Sequence, residues 1–79
     1  MVMNWEGRIS LDPKVLVGKP VIKGTRIAVE LIIRLQSNGW TQEQIVDSYP
    51  NITVEDIRAC LAYAGDVLNS ERVYPLTPA

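Results

Sequence analysis

Side chains that commonly carry acid–base, nucleophilic or metal chemistry are scarce in this 79-residue chain. It contains no histidine, so the commonest general base and the commonest metal ligand are both missing. With a single cysteine, Cys60, no zinc site of Cys/His type can be assembled. Cys60 falls on the apolar stripe of a predicted helix, where a thiol behaves as a small buried hydrophobe. Glu55 and Asp56 are adjacent, so on a helix they point to different sides, which does not suit a paired acid and base. Two acids in a first turn instead favour the positive end of the helix dipole. Gly18-Lys19-Pro20-Val21-Ile22-Lys23-Gly24-Thr25 invites comparison with a phosphate loop, which needs four residues between its glycines and a lysine directly before the Ser/Thr. Here five residues intervene and Thr25 follows Gly24 directly. The glycines read better as turn positions and Pro20 as a stiff entry to a strand. The expected work is therefore binding without catalysis, cofactor or metal.

What the chain offers a partner is uneven charge. Its net charge is −1, which argues against indiscriminate binding to nucleic acid. Residues 1–29, however, carry Arg8, Lys14, Lys19, Lys23 and Arg26 against only Glu6 and Asp12. The remainder carries Arg34, Arg58 and Arg72 against Glu30, Glu43, Asp47, Glu55, Asp56, Asp66 and Glu71. An anionic partner is expected to meet the N-terminal third at Lys19, Lys23 and Arg26, with Arg58 added from the last helix.

The elements that must position these groups follow from the pattern. Between Arg8 and Ile27 the chain is rich in β-branched residues and cut by Asp12-Pro13, Gly18-Lys19-Pro20 and Gly24-Thr25. This predicts a small ribbon pairing Ile9–Leu11 with Val21–Ile22. From Ala28 to Asn38 there is neither Gly nor Pro. Val29, Ile32, Ile33 and Gln36 mark one helical face, Leu31 and Leu35 lie to its side, and Gly39 supplies the stop. Thr41 with Gln44, and Thr53 with Asp56, look like the N-cap and third position of two further helices. Trp40 is expected to staple onto Ile45 and Ile52 onto Ile57. Pro50 forbids fusion of the two. The prediction is a short helix over 42–48 and a longer one from Val54 to about Leu68, its buried stripe running through Val54, Ile57, Cys60, Leu61, Ala64 and Leu68. Glu55, Arg58, Ala59, Ala62 and Asp66 are expected to face outward.

The fold class is therefore mainly α: a three-helix, helix-turn-helix core of winged or homeodomain-like type with a small N-terminal β ribbon. A single domain is expected over residues 1–68, with the ribbon within 8–27 and the helices within 28–68. Residues 69–79 form a tail, expected to be extended. If DNA is bound, the last helix would enter the major groove and the ribbon would act as a wing supplying phosphate contacts. A chain of this length buries only about 60% of its unfolded surface, which favours dimerisation or a partner. No stretch approaches the roughly 20 apolar residues of a membrane span, and the N-terminus has no leader pattern. A cytoplasmic location is expected, and the lone cysteine suits a reducing compartment.

Ile9-Ser10-Leu11-Asp12-Pro13, GKPVIKGTRIAVELII (Gly18–Ile33), Gly39-Trp40-Thr41, YPNIT (Tyr49–Thr53) and EDIRACLAYA (Glu55–Ala64) closely resemble the bacterial family known as domain of unknown function 433. The resemblance covers about Ile9 to Leu68. It implies a helix-turn-helix-like fold and, as in many members, the role of a type II antitoxin of the VapB kind. The implied partners are a cognate PIN-like ribonuclease toxin, operator DNA and a second copy of the chain. Gly18, Pro20, Gly24, Thr25 and Arg26 match the family signature, and Arg26 has two readings, an ion pair with an acid of the helical part or a phosphate contact. A protein interaction module without a DNA role is the competing expectation, favoured by the acidic helical half.

The tail lies outside the resemblance. Val73, Tyr74 and Leu76 are apolar groups that a purely solvated terminus has no use for, and they are expected to contact the toxin as a segment that orders on binding. The other seat open to them is the surface of the chain itself or of its dimer mate.

Overall fold

The computed structural model describes residues 5–70. Two short strands, β1 (Ile9–Ser10) and β2 (Val21–Ile22), precede three helices, α1 (Val29–Ser37), α2 (Gln42–Ser48) and α3 (Val54–Ser70). The strands are antiparallel, with Ile9 opposite Ile22 and Ser10 opposite Val21. Such a ribbon is marginal alone. It persists because Ile9, Val21 and Ile22 are all buried, and β1 packs on α3. The connection between the strands passes through a 3-10 turn at Leu16–Gly18, where Leu16 and Val17 hold positive φ of 47° and 56°. A backbone bond from Val29 N–H to the Pro20 carbonyl (3.0 Å) then ties the start of α1 to the ribbon.

Three local devices set the helix ends. α1 stops because Gly39 adopts φ +95°. This lets Gly39 N–H donate to the Gln36 carbonyl (3.0 Å) and Trp40 N–H to the Leu35 carbonyl (3.0 Å), a complete Schellman motif. At α2, Gln44 N–H donates to Thr41 Oγ1 (3.1 Å), while Thr41 N–H donates to Gln44 Oε1 (2.8 Å). At α3, Asp56 N–H donates to Thr53 Oγ1 (3.3 Å) and Thr53 N–H to Asp56 Oδ2 (2.9 Å). Both are reciprocal capping boxes.

The core gathers Ile9 and Ile22 from the ribbon, Val29 and Ile32 from α1, Ile45 from α2, Ile52 from the α2–α3 turn, and Ile57, Ala59 and Cys60 from α3. The fold is thus mainly α with a small ribbon, as the pattern predicts, but two details differ. The buried face of α3 is rotated from the predicted stripe: Ala59 is fully buried, whereas Leu61 and Leu68 are 45% and 62% exposed. The cause is the N-terminal segment, which covers a flank of α3 that periodicity leaves to solvent. Trp5 sets its ring edge-on against Tyr63 (centroids 4.7 Å, planes 89° apart) and donates from Nε1 to Asp66 Oδ2 (2.6 Å). The second concerns the apolar residues before the two caps, which are not buried alike: Trp40 keeps 37% of its surface exposed, whereas Ile52 is only 2% exposed. The Trp40 backbone is committed to the end of α1 through the Schellman bond, and this holds the residue on the outgoing turn.

Candidate nucleic-acid interface

The helix-turn-helix consists of α2, the turn closed by Ile52 N–H donating to the Tyr49 carbonyl (3.1 Å), and α3. In such a unit the start of the second helix faces phosphates, and two acids there would repel them. The geometry removes much of that objection. Asp56 directs Oδ2 to the Thr53 backbone and Oδ1 to the guanidinium of Arg8 at 3.0 Å, and its side chain is only 13% exposed. The carboxylate is therefore neutralised and turned inward. Glu55 remains exposed.

Arg8 belongs to the ribbon, and its carbonyl accepts from Lys23 N–H at 2.7 Å. The pairing ties Lys23 to the residue whose side chain reaches Asp56 in the first turn of α3. Lys23 occupies the tip of a tight turn that Gly24 permits by taking φ +82°. Thr25 locks that turn, donating from Oγ1 to the Ile22 carbonyl (2.7 Å) and accepting from Ile27 N–H (2.9 Å). The consecutive Gly24, Thr25 and Arg26 thus have separate jobs, since the first two shape the turn and the third points outward. Arg26 lines a shallow depression of about 450 Å³ with Ser10, Asp12 and Val15.

Lys19 stands apart, at the opposite end of β2. Its Nζ lies 3.3 Å from Glu30 Oε2 in the first turn of α1, and both side chains are more than half exposed. A pair so solvated contributes at most about 1 kcal/mol. Lys23, Arg26 and Arg58 are exposed, and no ion pair among the described residues engages them. The structure therefore groups Lys23 and Arg26 around one turn, sets Lys19 at the far end of the strand, and keeps Arg58 on α3. Of the two readings of Arg26, the ion pair is absent from the described residues; Arg8 and Lys19 make the ribbon-to-helix pairs instead. Val73, Tyr74 and Leu76 lie outside the described residues.

Sequence reasoning missed Arg8 as the partner of Asp56 and Trp5 as a cover for α3. Both contacts join residues far apart in the chain, so no local spacing announces them. Cys60 is fully buried, and burial, reinforced by the charge of Asp56, pushes its thiol up to about 12. A thiol held so far above its ordinary value is neutral near pH 7 and inert as a nucleophile.

Comparison with known proteins places this architecture among relatives without assigned activities. The family model described as protein of unknown function (DUF433) matches residues 9–64. The chain is 30% identical over 56 residues to the uncharacterized protein y4eO of Sinorhizobium fredii, covering 71% of this chain and 25% of that protein. It is 57% identical over 30 residues to an uncharacterized protein of Archaeoglobus fulgidus, covering 38% of this chain and 83% of that one. The chain thus spans about a quarter of the length of the first relative and most of the second. No solved structure matches the chain.

Proposed function

We propose that this chain, which belongs to the DUF433 family, is the antitoxin of a type II toxin–antitoxin pair. In this reading it works without catalysis in the cytoplasm. It neutralises a PIN-like ribonuclease and binds operator DNA as a homodimer, with α3 in the major groove and the ribbon turn on the flanking phosphates. The antitoxin role rests on the resemblance of the signature segments, and the DNA role on one observation. Lys23 is exposed and bonded through its backbone to Arg8, the residue that neutralises Asp56 in the first turn of α3. Cations next to a recognition helix supply the sequence-independent part of DNA affinity and fix its register. Among the described residues no helix is long and apolar enough to cross a membrane.

The nuclease is tested by co-expressing the chain with the product of the neighbouring reading frame and recovering a stable complex on pull-down. Operator binding is tested by titrating salt against binding to the chain's own promoter DNA. Replacing Lys23→Glu together with Arg26→Glu is expected to lower affinity at least tenfold at low salt. It should also flatten the slope of log affinity on log salt by about two, roughly one for each phosphate that is no longer neutralised. The helical circular dichroism should be unchanged, because both side chains are exposed. Undiminished affinity would remove the ribbon from the interface. A chain with no salt-dependent DNA binding at all would be a protein interaction module, the reading favoured by the exposed acids Glu43, Asp47, Glu55 and Asp66.

A further inference from the structure

The DNA reading leaves an apolar groove unused. It is formed by Val29 and Ile33 of α1 facing Tyr63, Ala64, Val67 and Leu68 of α3, and encloses about 440 Å³. Pro20 and Glu30 also line it, and Glu30 is the charged residue among the eight. The groove persists because α1 and α3 carry more apolar surface than each other and the ribbon can cover. Leu68 in its wall is 62% exposed. Open apolar surface of this kind at the end of a small domain marks a place where something docks.

We propose that the groove is the seat of the chain's own C-terminal segment, with Val73, Tyr74 and Leu76 folding back across α3 into it. Connection and length favour this occupant. The groove wall runs to Leu68 and α3 is described to Ser70, so the segment that follows begins within one turn of the site it would fill. Residues 71–76 reach up to about 20 Å when extended. The groove-lining stretch of α3, Tyr63 to Leu68, rises only about 8 Å. The tail can therefore reverse direction and still cover the groove. Pro75 and Pro78 keep such a peptide extended and lower the entropy lost on docking. So short a tether also makes the local concentration of the segment high.

A second copy of the chain fits less well, because eight residues line the groove and a stable dimer interface takes roughly 20–30 residues a side. The proposal goes beyond the antitoxin reading and holds whether or not the chain binds DNA. It assigns the apolar tail residues to the chain itself and leaves contact with the nuclease to other surfaces.

The full chain tests it when a nitroxide is attached through Ala79→Cys. Cys60 stays unmodified because it is buried with its thiol raised to about 12. In isotope-labelled protein diluted with excess unlabelled, nitroxide-free chain, the amides of Val29, Ile33 and Tyr63 should lose most of their intensity. Adding Tyr74→Ser and Leu76→Ser should restore it. Those two residues lie beyond the described fold, so helical circular dichroism reports separately that the domain is intact. Full intensity before the two changes would overturn the proposal. So would a loss seen only when the nitroxide sits on a different molecule from the isotope, which would make the occupant a second copy. A loss that requires the product of the neighbouring reading frame would hand the tail to the nuclease.

Discussion

α2 and α3 begin with the same written device and end up differently packed. Each has a threonine cap, a hydrogen-bonding residue three positions on, and an apolar residue just before the cap. Both caps form in full. The apolar neighbours diverge: Ile52 is 2% exposed and shares the core with Ile57, whereas Trp40 keeps 37% of its surface exposed. A cap needs only its own turn of helix. A staple needs the incoming chain to arrive from the core side, and that is decided by what precedes it. Before α3 the chain comes through a tight turn after Pro50, which drops Ile52 into the core. Before α2 it comes off the Schellman end of α1, which holds Trp40 on the outside.

The difference should be plainest when the core member is removed. Ile52→Ala deletes a side chain buried against Ile57 and is expected to cost about 2–4 kcal/mol, as for other large-to-small changes in tight cores. The check is a fall in the urea midpoint at constant slope. A midpoint equal to that of the parent would erase the contrast between the two starts. Gly39→Ala acts on the cause of the divergence, since φ of +95° at this position is closed to an ordinary side chain. About 1–2 kcal/mol should be lost, with the loss appearing in the helical signal at 222 nm. If Gly39→Ala is silent, the turn after α1 is not what holds Trp40 outward.

The same contrast marks what could be read from the sequence. The short helix predicted over 42–48 is α2 as observed, and the ribbon and both capping boxes lie where spacing puts them. All of these depend on residues a few positions apart. The buried face of α3 escapes the pattern because it is set by Trp5 and Arg8, whose partners on the helix are 61 and 48 positions away. A small alanine and an amphipathic tyrosine fit either side, so periodicity alone cannot place Ala59 and Tyr63, while Asp56, which would otherwise face solvent, is turned inward by its pair with Arg8. The candidate interface divides in the same way. Residue type picks out Lys23 and Arg26 as cations of the ribbon. Their relation to α3 depends on the backbone bond between Lys23 and Arg8 and on the pair between Arg8 and Asp56. Lys19, of the same type, is drawn to α1 by Glu30.

Smaller effects test the part that the two starts share. Thr41→Ala and Thr53→Ala should each cost about 1 kcal/mol, the ordinary value of an N-cap. Thr53→Ala should be the larger, because it loosens Asp56, which also holds Arg8. The pair of variants is read by thermal melting, with Arg8→Ala as background. If Thr41→Ala proved the more damaging, the coupling through Arg8 would be without effect.

The smallest loss is expected at the largest side chain. By size alone Trp40→Ala would be severe, since truncating a core tryptophan costs about 3–5 kcal/mol. Trp40, however, keeps 37% of its surface exposed, and it lines an open depression with Asn38, Gln44 and Asp47. The link that fixes its position is the bond from its backbone N–H to the Leu35 carbonyl, which alanine keeps. The alanine variant should therefore lose less than about 1 kcal/mol, the range of surface substitutions that break no cap or core contact. Comparing urea midpoints of the Ile52→Ala and Trp40→Ala proteins decides it. A Trp40→Ala loss as large as that of Ile52→Ala would mean that the tryptophan spends its time folded onto α2, and that the two helix starts are alike after all.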